Sequence, residues 1–352
     1  MRVEIINPLE SLAWDHFVAE HPLATIYHLS AWAQVLDASF LHIAPRYFVL
    51  RNEAGGIEAG LPLFLVKSRI LGNRLVSIPF TPHCDPLVQA HEQWKELTTA
   101  AIEYLRDIRG NALELRMLAC PDFAGSRRWS SDTTYRTYEL ELTDRPESLW
   151  QNFHRDCVQR AVKKAMKREV RLVWGESVRD LHTFCELLVS TRRAHGFPPQ
   201  PFRFFQNMWH ELYPLGKIAL ALAVVQKRVI GGVLLLKHRD RVQYEFVASD
   251  KRGLEMRPNH FLVWESIQMA CREGYRVFDF GKTPDDNPGL VQFKERWGAV
   301  ARPLLYCRYS THEQESAFSN KRPAYRWLQK YFRHAPAPLS KWSGALVYRH
   351  IG

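Results

Sequence analysis

The chain alternates strand-like and helix-like segments, and this alternation constrains its fold more than any other feature. In the first half, a strand at 47–50 turns at Gly55-Gly56 into a strand at 60–65, and a helix at 91–108 leads to a strand at 112–117. Short apolar runs bounded by glycine are typical of strands, and a 3.6-residue apolar period is typical of helices. The pattern predicts an α/β (α+β) fold, in which helices pack on a sheet.

The second half repeats this order of elements. Helices at 181–193 and 204–212 precede a hairpin over 218–236. Gly60 and Gly232 stand at equivalent points of the two hairpins. Internal similarity of this kind indicates a duplication, so we expect two similar domains in tandem.

A strand at 134–142 joins the two halves, because apolar and polar residues alternate there with a period of two. After it, a single helix is expected from about Glu147 to Glu169. We therefore expect domains at 1–137 and 138–311, followed by a basic helical tail at 312–352.

The tail combines basic and aromatic residues. No acidic residue follows Glu315, and Pro336 and Pro338 separate a first helix from a second one at 339–351. Such a tail can lie on an anionic membrane face. The alternative is a docking helix with a solvated basic side. The residues concerned are Lys321, Arg322, Arg326, Lys330, Arg333, Lys341 and Arg349, with Trp327, Tyr331, Phe332 and Trp342 among them.

Composition and targeting signals favour a cytoplasmic globular protein. Of the 352 residues, 46% are hydrophobic and 24% are charged, as in ordinary globular domains. The net charge of +11 favours an acidic partner, such as RNA, a nucleotide-sugar, a phospholipid carrier or a membrane face. The first residues lack the apolar segment of a signal peptide, no apolar run is long enough to span a bilayer, and the six scattered cysteines fit reduced thiols. We expect a cytoplasmic location, with peripheral contact at the inner face of the membrane as a further expectation.

Several short strings match motifs of other enzyme classes but lack the residues that those classes need. His238-Arg239-Asp240 and Asp279-Phe280-Gly281 match two kinase strings, yet Glu245 stands where a kinase needs a magnesium-binding Asn. His91-Glu92 and His210-Glu211 lack the second histidine of a zinc protease motif. These differences argue against a kinase and a zinc protease, and we expect no metal site.

Residues 258–299 carry the most informative pattern. A helix that begins at Pro258-Asn259 offers free backbone N–H groups to a phosphate or a carboxylate. A polar loop at 283–287, bracketed by glycines, suits a site wall or a lid. Phe293-Lys294 adjoins Trp297, so aromatic packing can hold a lysine near a reacting carbonyl group.

This stretch resembles the FemAB/FemX-type peptidoglycan-bridge aminoacyltransferases, which have GNAT-like acyltransferase domains. The family pattern PN…FDFG(R/K)…FK..WG is matched by Pro258-Asn259, by Phe278-Asp279-Phe280-Gly281-Lys282, and by Phe293-Lys294-Glu295-Arg296-Trp297-Gly298. Segments 68–80 and 192–205 are similar to further family motifs, and the tail is similar to the subgroup associated with exosortase (PEP-CTERM) loci. The resemblance covers nearly the whole chain and implies two tandem GNAT-like domains with a C-terminal helical tail, the second domain being catalytic.

The resemblance also implies roles for individual residues. It places Phe293 and Lys294 at the acyl-transfer centre, where the lysine stabilises charge on the acyl group or its leaving group. Asp279 is a third catalytic candidate, and its alternative role is to cap the next loop; for Lys294 the alternative is a solvated surface lysine. The donor-binding candidates are Asn259, Pro258, Arg257 and Arg252, and the substrate-binding candidates are Lys282, Asp285, Tyr244 and His83.

The expected reaction is amide formation, in which an amine of a cell-envelope or exopolysaccharide precursor attacks an activated acyl or aminoacyl ester. Proximity supplies much of the acceleration. The base stays open between the substrate itself, Asp279 and Asp285. The donor is aminoacyl-tRNA, acyl-CoA or acyl-carrier protein, used as a co-substrate without a tightly bound cofactor.

Three departures from the family pattern bear on the substrates. Thr81–Pro86 replaces a Gly-Gly pair and Lys282 stands where arginine is frequent, so the acceptor stays open. The long helical arm of tRNA-using relatives is missing, which disfavours tRNA. Separately, the loop at 250–256 has one glycine where GNATs of the acetyl-CoA type have a glycine-rich motif, so acetyl-CoA is not assured as the donor. The rival function is a non-catalytic, degenerate transferase-like protein that recruits precursors or membrane partners. An RNA-binding role lacks its sequence motifs, and no DNA binding is expected.

Overall fold

The computed structural model describes residues 2–118, 128–311 and 323–350, with the backbone alone for 323–326. Lys321 and Arg322 of the expected tail therefore lie outside the described residues. The chain forms two compact units, Met1–Thr134 with Pro303–Asn320 and Leu346–Gly352, and Tyr135–Arg302 with Lys321–Ala345. Among the described residues, no helix combines the length and apolar character that crossing a bilayer requires.

Strands and helices alternate along the chain. The strands are β1 (Val3–Ile6), β2 (Ile43–Arg51), β3 (Ile57–Ser68), β4 (Gly72–Ser77), β5 (Ala112–Met117), β6 (Trp129–Glu141), β7 (Arg171–Gly175), β8 (Ile218–Val225), β9 (Arg228–His238), β10 (Arg241–Ser249), β11 (Val277–Asp279), β12 (Thr283–Pro284) and β13 (Val300–Ser310). The α-helices are α1 (Leu12–Glu20), α2 (Ser30–Ser39), α3 (His91–Asp107), α4 (Pro146–Asn152), α5 (Arg160–Lys167), α6 (Val178–His195), α7 (Phe202–Leu212), α8 (Pro258–Arg272), α9 (Pro288–Glu295), α10 (Pro323–His334) and α11 (Ala337–Tyr348).

The first unit is a sheet in the order β1-β2-β3-β4-β5-β13, covered by helices on both faces. Adjacent residues of a strand point to opposite faces. Tyr47 packs against Trp14 of α1 with ring centroids 4.8 Å apart, and Phe48 packs against Tyr104 of α3 at 5.8 Å. A Cβ atom at Gly60 would lie 2.6 Å from the Trp14 ring, so glycine is needed for α1 to approach β3 this closely.

The second unit is a sheet in the order β6-β11-β10-β9-β8-β7, with β12 also paired to β6. Two adjacent glycines of β9 bring helices onto both faces. A Cβ atom at Gly231 would lie 3.0 Å from Pro258 of α8, whereas one at Gly232 would lie 2.8 Å from Phe184 of α6. The pair therefore sets how closely α8 and α6 approach the same strand.

The crossover from β10 through α8 to β11 creates the feature that positions the site. The two strands are parallel, and their ladder ends where Gln243 lies opposite Asp279. β11 stops there, whereas β10 continues through a register shift between Tyr244 and Phe246. In open α/β sheets, ligands bind beyond the carboxyl ends of parallel strands.

The expected single helix from about Glu147 to Glu169 is wrong. The chain leaves α4 at Phe153 and His154, whose backbones are not helical, and continues through a π-helical turn at Arg155–Gln159 into α5. Phe153 is buried, and its ring centroid lies 5.0 Å from that of Trp297 and 5.9 Å from that of Trp264. The break in the helix therefore lies where the chain joins this aromatic cluster, which the helical pattern of the sequence does not reveal.

The tail forms two helices, α10 and α11, as expected, but α11 begins at Ala337 instead of Leu339, so Pro338 lies within its first turn. Phe332 is fully buried, whereas Trp327 and Trp342 are 69% and 64% exposed. Lys330, Arg333 and Lys341 are also exposed. This part of the chain therefore presents aromatic and basic side chains to solvent.

Candidate functional site

Lys294 is buried in the second unit and anchored by one hydrogen bond. It lies in the last turn of α9 with 4% of its surface exposed, and its Nζ donates to the Gly281 carbonyl oxygen at 2.6 Å. Burial lowers the pKa of Lys294 to about 7, although the Asp279 and Glu245 carboxylates oppose this. The ammonium group has three N–H donors, so two remain beyond the bond to Gly281. Lys294 is therefore buried, and the alternative of a solvated surface lysine is wrong.

Asp279 holds the turn that carries this carbonyl group. It is buried at the end of β11, and its Oδ1 accepts from Thr137 Oγ1 at 2.6 Å and from the Gly281 backbone N–H at 2.7 Å. Gly281 has φ +73°, in the left-handed region that favours glycine. The Asp279-Phe280-Gly281 string is thus a self-capped turn that positions Lys294.

Two tyrosines complete the surroundings of Lys294. The Tyr138 ring lies 5.5 Å from the Lys294 Nζ, within the range of a cation–π contact. The Tyr244 backbone oxygen would lie 3.6 Å from a Cβ atom at Gly281, so Tyr244 adjoins the same turn. The Tyr244 hydroxyl is buried and has no hydrogen-bond partner among the described residues, and burial raises its pKa. We call these residues, with Asp279, Gly281 and Lys294, the Lys294 site.

The N-terminus of α8 lies beside the helix that bears Lys294. Arg257 precedes it with φ +61° and gives no side-chain cap, and Pro258 has no N–H group. The N–H groups of Asn259 and His260 therefore stay open, as at any uncapped helix start. The Asn259 Oδ1 is also buried, and no residue in the described part of the chain forms a hydrogen bond with it.

His260 connects this helix start to Phe293. Their ring centroids are 5.1 Å apart in an edge-to-face contact, and the His260 ring lies 6.3 Å from that of Trp297. Burial lowers the pKa of His260 to about 4, with the charges of Arg257 and Arg296 acting in the same direction. His260 is therefore neutral at pH 7. The sequence analysis named neither His260 nor Tyr138 as a candidate site residue.

The remaining predicted residues of the second unit lie at its surface. Lys282 places its Nζ 4.5 Å from the Tyr135 ring centroid, and the Asp285 Oδ1 accepts from Arg136 Nε at 2.9 Å. Arg252 is exposed and pairs with Asp250 at 3.6 Å. Lys282 directly follows Gly281, so it flanks the Lys294 site.

His83, the remaining substrate-binding candidate, belongs to the first unit. It is buried, and its Nδ1 donates to Asp85 Oδ2 at 2.8 Å. Burial opposes ionisation of Asp85, but the His83 contact and the Leu118 N–H lower the pKa of this carboxyl group below its ordinary value. His28 lies nearby, with Nε2 2.8 Å from the Asp85 backbone oxygen. The expected acceptor loop is thus a buried polar cluster within its own unit.

Within the described ranges, no three His, Cys, Asp or Glu side chains are grouped so that they could hold a metal ion.

Comparison with known proteins identifies the domain that contains this site. Residues 152–295 match the family model described as an acetyltransferase (GNAT) domain. This range includes Asp279, Lys294 and the start of α8. No curated protein sequence matches the chain.

Solved structures share the fold along nearly the whole chain. FemX has 16% sequence identity and a TM-score of 0.68, covering 94% of this chain and 100% of its own. A tandem GNAT protein from the clavulanic acid biosynthesis pathway has 12% identity and a TM-score of 0.56, covering 90% and 99%. L-PGS from Bacillus licheniformis has 14% identity and a TM-score of 0.54, covering 94% and 98%. The expected tandem GNAT fold is confirmed.

The depressed pKa of Lys294 predicts a specific pH dependence of stability. Its folded pKa of about 7 lies below the ordinary 10.5, so between these values the unfolded chain binds the extra proton and wild-type stability rises with pH. Lys294→Met removes this titration. The free energy of unfolding of the variant, relative to wild type, should therefore fall by about 2 kcal/mol from pH 6.5 to pH 8.5.

Urea unfolding at the two pH values measures this difference. Lys163→Met serves as the matched control, because Lys163 is exposed on α5. A difference between Lys294→Met and wild type that does not change with pH would show that Lys294 keeps an ordinary pKa.

Proposed function

We propose that this chain, in which residues 152–295 form an acetyltransferase (GNAT) domain, transfers an acyl or aminoacyl group to an amine and forms an amide bond. The observation that carries the proposal is the buried Lys294, held on the Gly281 carbonyl oxygen at 2.6 Å. A lysine with two remaining N–H donors in a desolvated site suits the stabilisation of a developing oxyanion or of a leaving group. The acceptor class that we infer is an amine-bearing cell-envelope or exopolysaccharide precursor.

The chemistry follows from the bonds that change. The C–N bond forms as the amine attacks the donor carbonyl group, and the C–S bond of a thioester or the C–O bond of an ester breaks. The proton released by the amine ends on the leaving group. A lysine whose pKa is about 7 can give a proton at neutral pH and take one back, which suits it to this transfer.

Asp279 acts through Lys294 in this proposal. Its Oδ1 already accepts two hydrogen bonds that hold the turn at Gly281. Its negative charge also favours the protonated form of Lys294. Asp279 is therefore proposed as a positioning residue, and Asp285, which is tied to Arg136, is not needed as the base.

The donor is proposed to bind at the N-terminus of α8. The open N–H groups of Asn259 and His260 and the charge of Arg257 favour a phosphate there. Acyl-CoA, acyl-carrier protein and aminoacyl-tRNA all carry phosphate, which in acyl-CoA and acyl-carrier protein is separated from the thioester by the pantetheine arm. The contact between His260 and Phe293 supports this location, because it brings the helix start next to the residue before Lys294.

Lys294→Ala should reduce transfer about a hundredfold, because electrostatic stabilisation of this kind contributes roughly 3 kcal/mol. Mass spectrometry of peptidoglycan and exopolysaccharide precursors, from cells with and without the gene, identifies the product. The same cells complemented with Lys294→Ala should lack it, and complementation with Lys163→Ala should restore it.

A Lys294→Ala chain that keeps more than half of the wild-type product contradicts the role of Lys294. A wild-type chain that binds precursors without changing their mass favours the non-catalytic alternative.

Arg257→Gln should weaken binding of coenzyme A about fivefold, since it removes one cation beside the α8 N-terminus. Isothermal titration calorimetry measures the dissociation constant. Arg272→Gln, an exposed arginine at the opposite end of α8, is the matched control. Equal weakening by both substitutions, or by neither, would show that the donor phosphates bind elsewhere.

The location of the protein is proposed to be cytoplasmic, with α10 and α11 in contact with an anionic membrane. The exposed Trp327, Lys330 and Arg333 support this contact, at roughly 1 kcal/mol for each basic residue near the surface. The full chain should sediment with phosphatidylglycerol vesicles at low salt and be released as salt screens the charges.

The double variant Lys330→Glu/Arg333→Glu should lose this sedimentation. Lys163→Glu/Lys167→Glu makes the same change of charge on α5 and should leave it intact. If both double variants bind equally well, α10 does not contact the membrane.

A further inference from the structure

The hairpin between β3 and β4, in the first unit, presents two aliphatic side chains at its tip. Ser68 pairs with Gly72, so the connecting residues are Arg69, Ile70 and Leu71. Such connections are usually made by Gly, Pro, Asn, Asp or Ser. Here the Ile70 side chain is 74% exposed and that of Leu71 is 46% exposed. Apolar surface is thus held in solvent at a place where polar residues are usual.

Leu41 adds apolar surface at the same end of the sheet. Its side chain is 92% exposed, just before β2 begins. The Lys67 backbone N–H donates to the His42 carbonyl oxygen at 2.8 Å, so the chain enters β2 beside the last residues of β3. Single exposed apolar side chains are common, whereas several at one place indicate an interaction surface. We call Leu41, Ile70 and Leu71 the apolar edge.

The backbone of the hairpin tip is already hydrogen-bonded within the protein. The Ser68 Oγ accepts from the N–H groups of Ile70 at 3.2 Å and of Leu71 at 3.0 Å. The Asn111 Nδ2 donates to the Leu71 carbonyl oxygen at 3.1 Å. Backbone polar groups enter an apolar medium at a high cost unless they are hydrogen-bonded. These three bonds therefore prepare the tip for contact with an apolar phase.

Exposed cations flank the tip. Lys67 and Arg69 precede Ile70 on the hairpin itself, and both side chains are exposed. Arg349 is exposed as well, and the next residue, His350, places its Nδ1 3.1 Å from the Ser68 Oγ. Lysine and arginine have long aliphatic stems, so their charged ends can reach a polar layer while the residues beside them enter an apolar one.

The exposed charge at this end of the sheet is positive. Asp107 is exposed, but it lies beside the exposed Arg109 in the segment that precedes Asn111. Asp37, before Leu41, is half-buried. Protein–protein contacts usually centre on aromatic anchors, whereas the apolar edge is aliphatic and is flanked by cations. Aliphatic side chains beside lysine and arginine fit the boundary between the acyl chains and the anionic headgroups of a bilayer.

We propose that the tip of the β3–β4 hairpin inserts Ile70 and Leu71 into the surface of an anionic lipid membrane, with Lys67, Arg69 and Arg349 against the lipid phosphates. This surface belongs to the first unit. It is independent of acyl transfer, and it shares no residue with the contact proposed for α10 and α11.

Vesicles of phosphatidylglycerol and phosphatidylcholine in equal parts test the proposal. The Ile70→Ser/Leu71→Ser double variant of the full chain should show a partition coefficient about tenfold below that of wild type, because it removes the aliphatic surface that enters the membrane. Leu12→Ser/Leu23→Ser is the matched control. It changes two side chains of the first unit that are 94% and 56% exposed, and it should partition as wild type does.

A tryptophan at the tip reports its insertion directly. With brominated phosphatidylglycerol in the vesicles, the fluorescence of Ile70→Trp should be quenched more than that of wild type. Leu12→Trp, at an exposed position outside the apolar edge, should be quenched no more than wild type. This measurement is separate from the effect of charge changes on α10.

The proposal is overturned if wild type does not bind these vesicles, if the two double variants partition equally, or if Ile70→Trp shows no additional quenching. Sedimentation equilibrium without lipid tests a second copy of the chain as the partner. A wild-type dimer that Ile70→Ser/Leu71→Ser dissociates would show that another copy covers the apolar edge, and this result would also overturn the proposal.

Discussion

The hydrogen bond from Lys294 to the Gly281 carbonyl oxygen is the contact on which the candidate site depends. The Gly281 backbone is left-handed two residues after the end of β11, a conformation that glycine adopts without strain, and its carbonyl oxygen accepts from Lys294 on α9. Asp279 stabilises the turn, and Thr137 of β6 fixes the Asp279 carboxylate in its place. The position of the Lys294 Nζ thus depends on the pairing of β6 with β11, on the turn that Asp279 caps, and on the helix α9.

A buried charge behaves according to the partners that surround it, as a comparison within the second unit shows. Glu139 is buried and pairs with Arg241 and Arg302, each at 2.7 Å. Lys294 is equally buried, but within the described residues no carboxylate forms an ion pair with it. Desolvation therefore dominates at Lys294 and brings its pKa close to neutrality, which is the range that proton transfer at neutral pH needs. Glu139 is thus paired with two guanidinium groups, whereas the Lys294 Nζ is held by a hydrogen bond to a backbone carbonyl oxygen.

The two faces of the second unit's sheet carry separate features. Gly231 admits α8, whose N-terminus lies beside Phe293, and Gly232 admits α6 on the opposite face. Because adjacent residues of a strand point to opposite faces, one Gly-Gly pair accommodates both helices.

The sequence by itself determined the alternation of elements, the strands at 112–117 and 218–225, and the residue types at the site, because these depend on local periodicity and on a contiguous motif. Lys294, Asp279 and Asn259 were accessible from that motif. Only the tertiary structure decided that Lys294 is buried, that Tyr138 faces it across more than a hundred residues of chain, and that Phe153 interrupts a helix to reach Trp297. Burial and the pKa that follows from it depend on which strands pair and which helices cover them. No local pattern encodes that information, since it arises from contacts between residues distant in the chain.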